Sequence, residues 1–253
     1  MSRGVLVTGA SRGIGRAVAT AFAARGDRVA VHYGSGRADA EETLCGLAGA
    51  GHVLIGGDLG DPAAAQELAE AAIEGLGGVD VLVNNAAVAP GPGNVHAIDT
   101  VGYADWQRTW RRMIDVDLLG AANVTYHVAN HLIGRGATGS IVNVGSRGAF
   151  RGEPDYPAYG AAKAALHAFG QSMAVALAPH GIAVTSVAPG FISSERQHAK
   201  LDGPGGAAIS AQSPFGRVGT PEEVAAAVLH LASPEAAWSS GAVLDLNGAS
   251  HLR

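Results

Sequence analysis

Val5 to Arg16 reads V-L-V-T-G-A-S-R-G-I-G-R, and the order of its parts decides the fold. Three apolar residues make a short buried-strand pattern, glycines follow at positions 9, 13 and 15, and Ala17 to Arg25 continues at helical spacing. Strand, glycine turn, helix is the order of a nucleotide-binding β–α unit. Gly9, Gly13 and Gly15 permit a tight turn and a close approach of backbone to a diphosphate, while the helix N-terminus behind them favours negative charge. A glycine-rich turn alone also serves merely to connect elements. Its place directly after a strand and before a helix favours the cofactor reading.

Working outward, strand patterns recur at Arg28 to His32, His52 to Ile55, Val79 to Val83, Ser140 to Val144, Ile182 to Val187 and Ala242 to Leu246. Helical patterns lie between them at Ala38 to Ala48, Pro62 to Leu76, a long stretch from Ala104 through Leu119, and Pro157 to Ala178. The run V-D-V-L-V at 79–83 is nearly continuous in apolar residues, as in a parallel strand covered on both faces. With 253 residues, 47% of them hydrophobic and 15% charged, the chain fits one α/β domain: a Rossmann-type, doubly wound parallel sheet with helices on both faces.

The net charge of -5 comes without a basic stripe, which argues against a nucleic-acid partner. No apolar run approaches the roughly 20 residues of a membrane span, and Met1 to Val7 is too short for a signal peptide, so a soluble, cytoplasmic protein is expected. Cys45, the single cysteine, excludes an internal disulfide and reads as a buried structural thiol. His127 and His131 stand at i, i+4 with no evident third ligand, so no metal is expected.

Ser146 to Lys163 reads S-R-G-A-F-R-G-E-P-D-Y-P-A-Y-G-A-A-K. A serine closes the fifth strand pattern, and a helix then carries Tyr159 and Lys163 one turn apart on one face. A free phenol has a pKa of about 10, too high for a base near neutrality, and a lysine beneath it favours the phenolate. Ser146 can hydrogen-bond a substrate oxygen. By itself Y-x-x-x-K is a common helix-surface pair; combined with the glycine turn it outlines a proton-transfer site.

T-G-x-x-x-G-I-G near the start and Y-x-x-x-K near position 160 together resemble the short-chain dehydrogenase/reductase family, over nearly the whole chain. The glycine loop T-G-A-S-R-G-I-G-R-A, the segment A-P-G-F-I and the run P-F-G-R-V-G-T-P-E-E-V-A look most like its 3-oxoacyl-carrier-protein reductase branch. The resemblance implies that Ser146 orients the substrate oxygen, Tyr159 transfers the proton, and Lys163 tunes Tyr159 and binds the nicotinamide ribose. Gly9, Ser11, Arg12, Gly13, Ile14 and Gly15 would hold the cofactor's diphosphate end. Asp58 and Leu59 match the family's adenine-binding D-L pair, Asn84 a structural tie, and Asn85 and Ala86 the cofactor wall, with Ala87 where the family has glycine. Pro189, Gly190, Ile192 and Ser194 match the segment that meets the nicotinamide. Tyr156 is a substrate-pocket candidate.

The family's N-L-x-G appears here as Asp117-Leu118-Leu119-Gly120. Asp117 keeps the hydrogen-bonding shape of the asparagine and adds a charge that would hold Lys163 protonated and offset part of its effect on Tyr159. Residues 191–215 read as a substrate lid. The helix Pro157 to Ala178 is apolar nearly all round, so one side should meet a second copy in a dimer or tetramer.

The second strand ends His32-Tyr33-Gly34-Ser35-Gly36-Arg37, with no acid before Asp39. Arg12 and Arg37 as cations and Ser35 as a donor would suit a 2'-phosphate, so NADP(H) is expected over NAD(H). The substrate stays open between a 3-oxoacyl thioester and a sugar, polyol or cyclic ketone; Ala178-Pro179-His180 lacks the arginine often used for carrier docking. Retention of Ser146, Tyr159 and Lys163 disfavours a non-catalytic nucleotide-binding protein. The short region after the last strand disfavours a sugar epimerase.

Overall fold

Seven runs of aliphatic residues line up as one parallel sheet in a computed structural model that describes residues 2–195, 197 and 201–253. The strands are β1 (Gly4–Val7), β2 (Arg28–Tyr33), β3 (Val53–Gly56), β4 (Val81–Asn84), β5 (Gly139–Val144), β6 (Ile182–Pro189) and β7 (Val243–Leu246), in the order β3-β2-β1-β4-β5-β6-β7. Central β1 pairs with β2 through Val5↔Val29 and with β4 through Val5↔Val81.

Alternate residues of each strand serve opposite helical layers, as the two-residue period of a strand requires. Val5, Val7, Val81, Val83, Val142 and Val144 pack on one side against Val18 and Phe22 of α1 (Gly13–Ala24) and Val224 and Val228 of α9 (Pro221–Leu231). Leu6, Leu82 and Ile141 pack on the other, against Leu68 of α3 (Pro62–Leu76), Val124 and Leu132 of α5 (Ala121–Gly134) and Ala174 of α7 (Pro157–Leu177). Each fully buried large side chain contributes roughly 1.5–3 kcal/mol. That demand on both faces explains why β1 and β4 carry no alternating polar positions.

Local chemistry sets the helix ends. The Asp61 carboxylate accepts from the Ala63 amide ahead of Pro62, and α3 stops at left-handed Gly77. Thr220 and Glu223 form a reciprocal capping box at the start of α9. Strand order reverses between β1 and β4, so a crevice opens at their carboxyl ends. The glycine turn and the Asn84 to Ala87 segment meet there.

Two expectations are revised, and the predicted lid gains detail. The long helix predicted from Ala104 is α4 (Tyr103–Ile114), then one wide π-turn (Asp115–Gly120), then α5. The π-turn carries Asp117 inward, and only glycine fits at its end, because a Cβ on Gly120 would lie 2.7 Å from both the carbonyl oxygen and the Cβ of Leu59. Cys45 on α2 (Arg37–Gly46) is exposed rather than buried, since that helix turns only Ala40 and Thr43 inward. The predicted lid includes the short helix α8 (Gly206–Ser210), with Ile209 buried; its positions 196 and 198–200 lie outside the described residues. Among the described residues, no helix is long and apolar enough to cross a membrane.

Candidate active site

The glycine turn is held from three sides. The Gly9 amide donates to His32 Nδ1 at 3.0 Å, and His32 Nε2 pairs with the Gly57 carbonyl at 3.0 Å, which makes Nδ1 the acceptor and Nε2 the donor. Burial lowers the pKa of His32, keeping it neutral and able to do both. Asn85 Nδ2 donates to the carbonyls of Thr8 and Gly9, and the Thr8 hydroxyl accepts from the Asn85 and Ala86 amides. Gly15 packs so tightly that a Cβ would lie 2.2 Å from the Gly9 carbonyl oxygen and 2.6 Å from Asn85 Nδ2.

These residues form one end of a cleft of about 530 Å³. Gly9, Ser11, Arg12, Gly13, Ile14, Gly15, Ser35, Asp58, Leu59, Asn85, Ala86, Ser146, Tyr159, Lys163, Pro189, Gly190, Ile192 and Ser194 all line it. The turn accepts an anion: a carboxylate oxygen of Glu195, from the predicted lid segment, receives the Gly13 amide at 3.1 Å, with the other oxygen 3.8 Å from Arg16 Nη1. A carboxylate held at this helix N-terminus is the interaction a diphosphate requires.

Around Asp58 the polar groups are already engaged. Asp58 accepts from Arg112 Nη1 at 2.8 Å and from the Gly60 amide at 3.0 Å, and these bonds, led by Arg112, hold its carboxyl below the usual range. Arg112 lines the cleft and was missed in the sequence, where W-R-R-M-I looks like a solvated helix face. Arg37, by contrast, is not among the cleft residues. It begins α2, is exposed, and its Nε donates to Glu41 one turn on at 2.8 Å. Asp39, also on α2, stands 3.7 Å from Arg12 Nη1, so Arg12 does not face the cleft as an unopposed cation.

At the other end, β5 delivers Ser146 and the start of α7 delivers Tyr159 and Lys163. Tyr159 and Ser146 line the same end of the cleft, close enough for the serine side chain to act on the phenol. Burial pushes the phenol well above its ordinary pKa; Ser146 works against that shift, and Asp117 and Glu153 add to it. Lys163 is 2% exposed, donates to the Val144 carbonyl at 3.2 Å and lies 5.8 Å from the centre of the Tyr159 ring.

Asp117 does not line the cleft. It lies behind Lys163, 1% exposed, with Oδ1 accepting from the Val88 amide at 2.7 Å and Oδ2 3.8 Å from Lys163 Nζ and otherwise unbonded. Burial raises the Asp117 pKa and lowers that of Lys163, and each opposes the shift in the other. The two therefore act as one coupled pair.

The wall near Ser146 and Tyr159 adds Arg147 and Glu153, which the sequence reading did not single out, and Ala89 and Pro90 of the Pro/Gly loop after β4, which the sequence places at the mouth of the site. Tyr156 joins them, its phenol pKa raised by burial and then by Asp155 and Glu153. His96, fully buried, accepts the Ala158 amide at 3.0 Å and pairs with the Asn94 carbonyl at 2.8 Å, tying the loop that follows Ala89 to the first turn of α7. Its signal in the sequence was slight, one histidine in a loop. His131 is engaged by Arg135 Nη1 at 3.0 Å and the Val79 amide at 3.4 Å. Among the described residues no cluster of His, Cys, Asp or Glu has the makings of a metal site.

A family model described as enoyl-(acyl carrier protein) reductase matches residues 9–251. An L-rhamnose 1-dehydrogenase (NAD(P)(+)) of a Sphingomonas species is 36% identical over 98% of this chain and 96% of its own. A 3-oxoacyl-[acyl-carrier-protein] reductase of Escherichia coli is 36% identical over 98% and 96%. Among solved structures, a short-chain dehydrogenase from Burkholderia cenocepacia in complex with NADP superposes with a TM-score of 0.86 at 30% identity, covering 98% of this chain and 97% of that one. A seven-stranded parallel sheet, an anion-accepting glycine turn and matches spanning the whole domain agree: the chain belongs to the short-chain dehydrogenase/reductase family of NAD(P)-dependent oxidoreductases.

Proposed function

We propose that the protein interconverts a ketone and a secondary alcohol with NADP(H), the hydroxyl proton passing through Tyr159. The observation that carries this reading is the grouping of Ser146, Tyr159 and buried Lys163, with Lys163 Nζ 5.8 Å from the Tyr159 ring centre, at the end of the cleft opposite the glycine turn. Ser146 orients the substrate oxygen. Tyr159 gives that oxygen its proton in reduction and takes it back in oxidation. Lys163, kept charged by Asp117, favours the phenolate and binds ribose. Bound NADP(H) supplies or accepts the hydride. Gly9, Ser11, Gly13, Ile14 and Gly15 would hold its diphosphate, Asp58 and Leu59 its adenine, and Pro189, Gly190, Ile192 and Ser194 its nicotinamide end.

NADP(H) is preferred over NAD(H) through Arg12 and Ser35, both in the cleft wall, without help from Arg37. Residues 191–215 act as the lid over substrate. The working form is a cytoplasmic homo-oligomer, dimer or tetramer, joined in part through α7. Relatives that act on a sugar and on a carrier-bound oxoacyl chain leave both substrate classes in play.

Loss of NADPH absorbance with thioester, aldose, cyclic and aryl carbonyls tests the reading. Turnover is expected on one class, with Tyr159→Phe slowing it by roughly 10³-fold or more while NADPH binding persists. Bound NADPH with no turnover on any carbonyl would instead favour a non-catalytic nucleotide-binding protein.

A further inference from the structure

Arg147 follows Ser146 in the chain and faces the same cleft, yet the proton-transfer chemistry makes no use of it. At 6% exposure it is the only buried arginine among the described residues. Its guanidinium donates to two neutral oxygens, Ser250 Oγ at 2.5 Å and Gln212 Oε1 at 3.0 Å. Arg151, one turn on, donates to the same Gln212 oxygen at 2.8 Å. Among the described residues neither arginine makes an ion pair, whereas buried Asp27 has Arg3 at 2.7 Å and buried Lys163 has Asp117.

A buried cation without a counter-ion is expensive to keep. Burial, then Arg151, lowers the pKa of Arg147, and only the field of Glu153 opposes them. Arg147 also stands between two spaces: the main cleft, shared with Ser146, Tyr156 and Tyr159, and a smaller cavity of about 260 Å³ lined by Gln212 and Ser250. The acids of that cavity are taken, Asp245 by Arg253 at 2.9 Å and Glu223 by Arg217 at 2.6 Å.

We infer that Arg147, with Arg151, Gln212 and Ser250, recognises a carboxylate on the substrate, so that the carbonyl handled by Ser146 and Tyr159 belongs to an oxo acid and the alcohol to a hydroxy acid. The inference rests on the carbonyl-reductase reading. A planar guanidinium fork matches a carboxylate in two parallel bonds. The Gln212 oxygen, bridging both arginines, marks where one carboxylate oxygen would sit. Two guanidinium charges against the single Glu153 carboxylate leave one positive charge, which suits a monoanion better than a phosphate.

Quenching of NADPH fluorescence measures binding without turnover, using 4-oxocyclohexanecarboxylate and 3-oxobutanoate against their methyl esters. Wild type should bind at least one acid about tenfold or more tighter than its ester. That ratio should fall toward one in Arg147→Gln, recover in part in Arg147→Lys, and drop a few-fold in Arg151→Gln. Equal affinities for acid and ester in wild type, or an equal loss of both in Arg147→Gln, would overturn the inference and leave Arg147 a structural clamp. If Arg147→Gln fails to fold, the wild-type ratio and exposed Arg151 still decide. Acid binding through Arg147 with no reduction of any carbonyl would sink the carbonyl-reductase reading and the oxo-acid assignment with it, and leave only carboxylate recognition by Arg147.

Discussion

The two ends of the cleft are built differently. At the nucleotide end the contacts close on themselves: Gly9 on His32, Asn85 on Thr8 and Gly9, Asp58 on Arg112. At the substrate end, Arg147 faces neutral oxygens and makes no ion pair among the described residues. A cofactor common to a family can be met by backbone in a fixed, crowded shape. A substrate peculiar to one chain is met by side-chain charge, and that charge is left incompletely paired until substrate supplies the rest.

The first way to break the contrast is to add volume. Gly15→Ala would press a methyl against the Gly9 carbonyl and Asn85, a clash of roughly 2–3 kcal/mol that should weaken NADPH binding by about 30- to 150-fold. Gly91→Ala, in the loop on the substrate side, meets nothing within 4 Å and should leave the Kd unchanged. Titration of NADPH fluorescence reads both. Equal affinities in the two variants would mean that the nucleotide end is no more crowded than the other.

The same contrast explains what the sequence could disclose. Glycines at 9, 13 and 15 meet a local backbone demand, so their spacing is visible in seven consecutive residues. The caps at Asp61-Pro62 and Thr220 to Glu223 are equally local, and the seven strands were legible because both faces of the sheet are covered and mostly apolar. Arg147, however, takes its meaning from Gln212 and Ser250, 65 and 103 residues away. Arg37 is the opposite case: it is near the second strand in sequence, and the helix that starts there turns it toward Glu41 and solvent, which the letters alone do not show. The π-turn leaves no periodic trace, so the letter change at Asp117 was visible while its depth behind Lys163 was not.

A second prediction concerns the charge at Asp117. Its carboxylate raises the pKa of Tyr159 and favours the Lys163 ammonium. Alcohol oxidation needs the phenolate, so the rate should rise with pH through the Tyr159 pKa. In Asp117→Asn the anion is gone, the phenolate forms more readily, and the rising limb should move to lower pH by about one unit, roughly 1.4 kcal/mol. A shift to higher pH would mean that the carboxylate acts chiefly by keeping Lys163 charged. An unchanged limb would mean that Asp117 holds its own proton at working pH.

The smallest expected effect sits where the two ends touch. Glu195 comes from the proposed lid segment and places a carboxylate on the Gly13 amide, the donor a cofactor diphosphate needs, with Arg16 3.8 Å from its other oxygen. Cofactor and Glu195 are then like-charged competitors for one helix N-terminus. Glu195→Gln keeps the size and an acceptor oxygen but removes the charge, which at an exposed helix end is worth roughly 0.3–1 kcal/mol. NADPH should therefore bind about two- to fivefold tighter, and the gain should shrink as salt screens it. If Glu195→Gln instead weakened NADPH binding at low salt, the lid carboxylate would be a support of the bound state, and the nucleotide end would owe part of its closure to the substrate end.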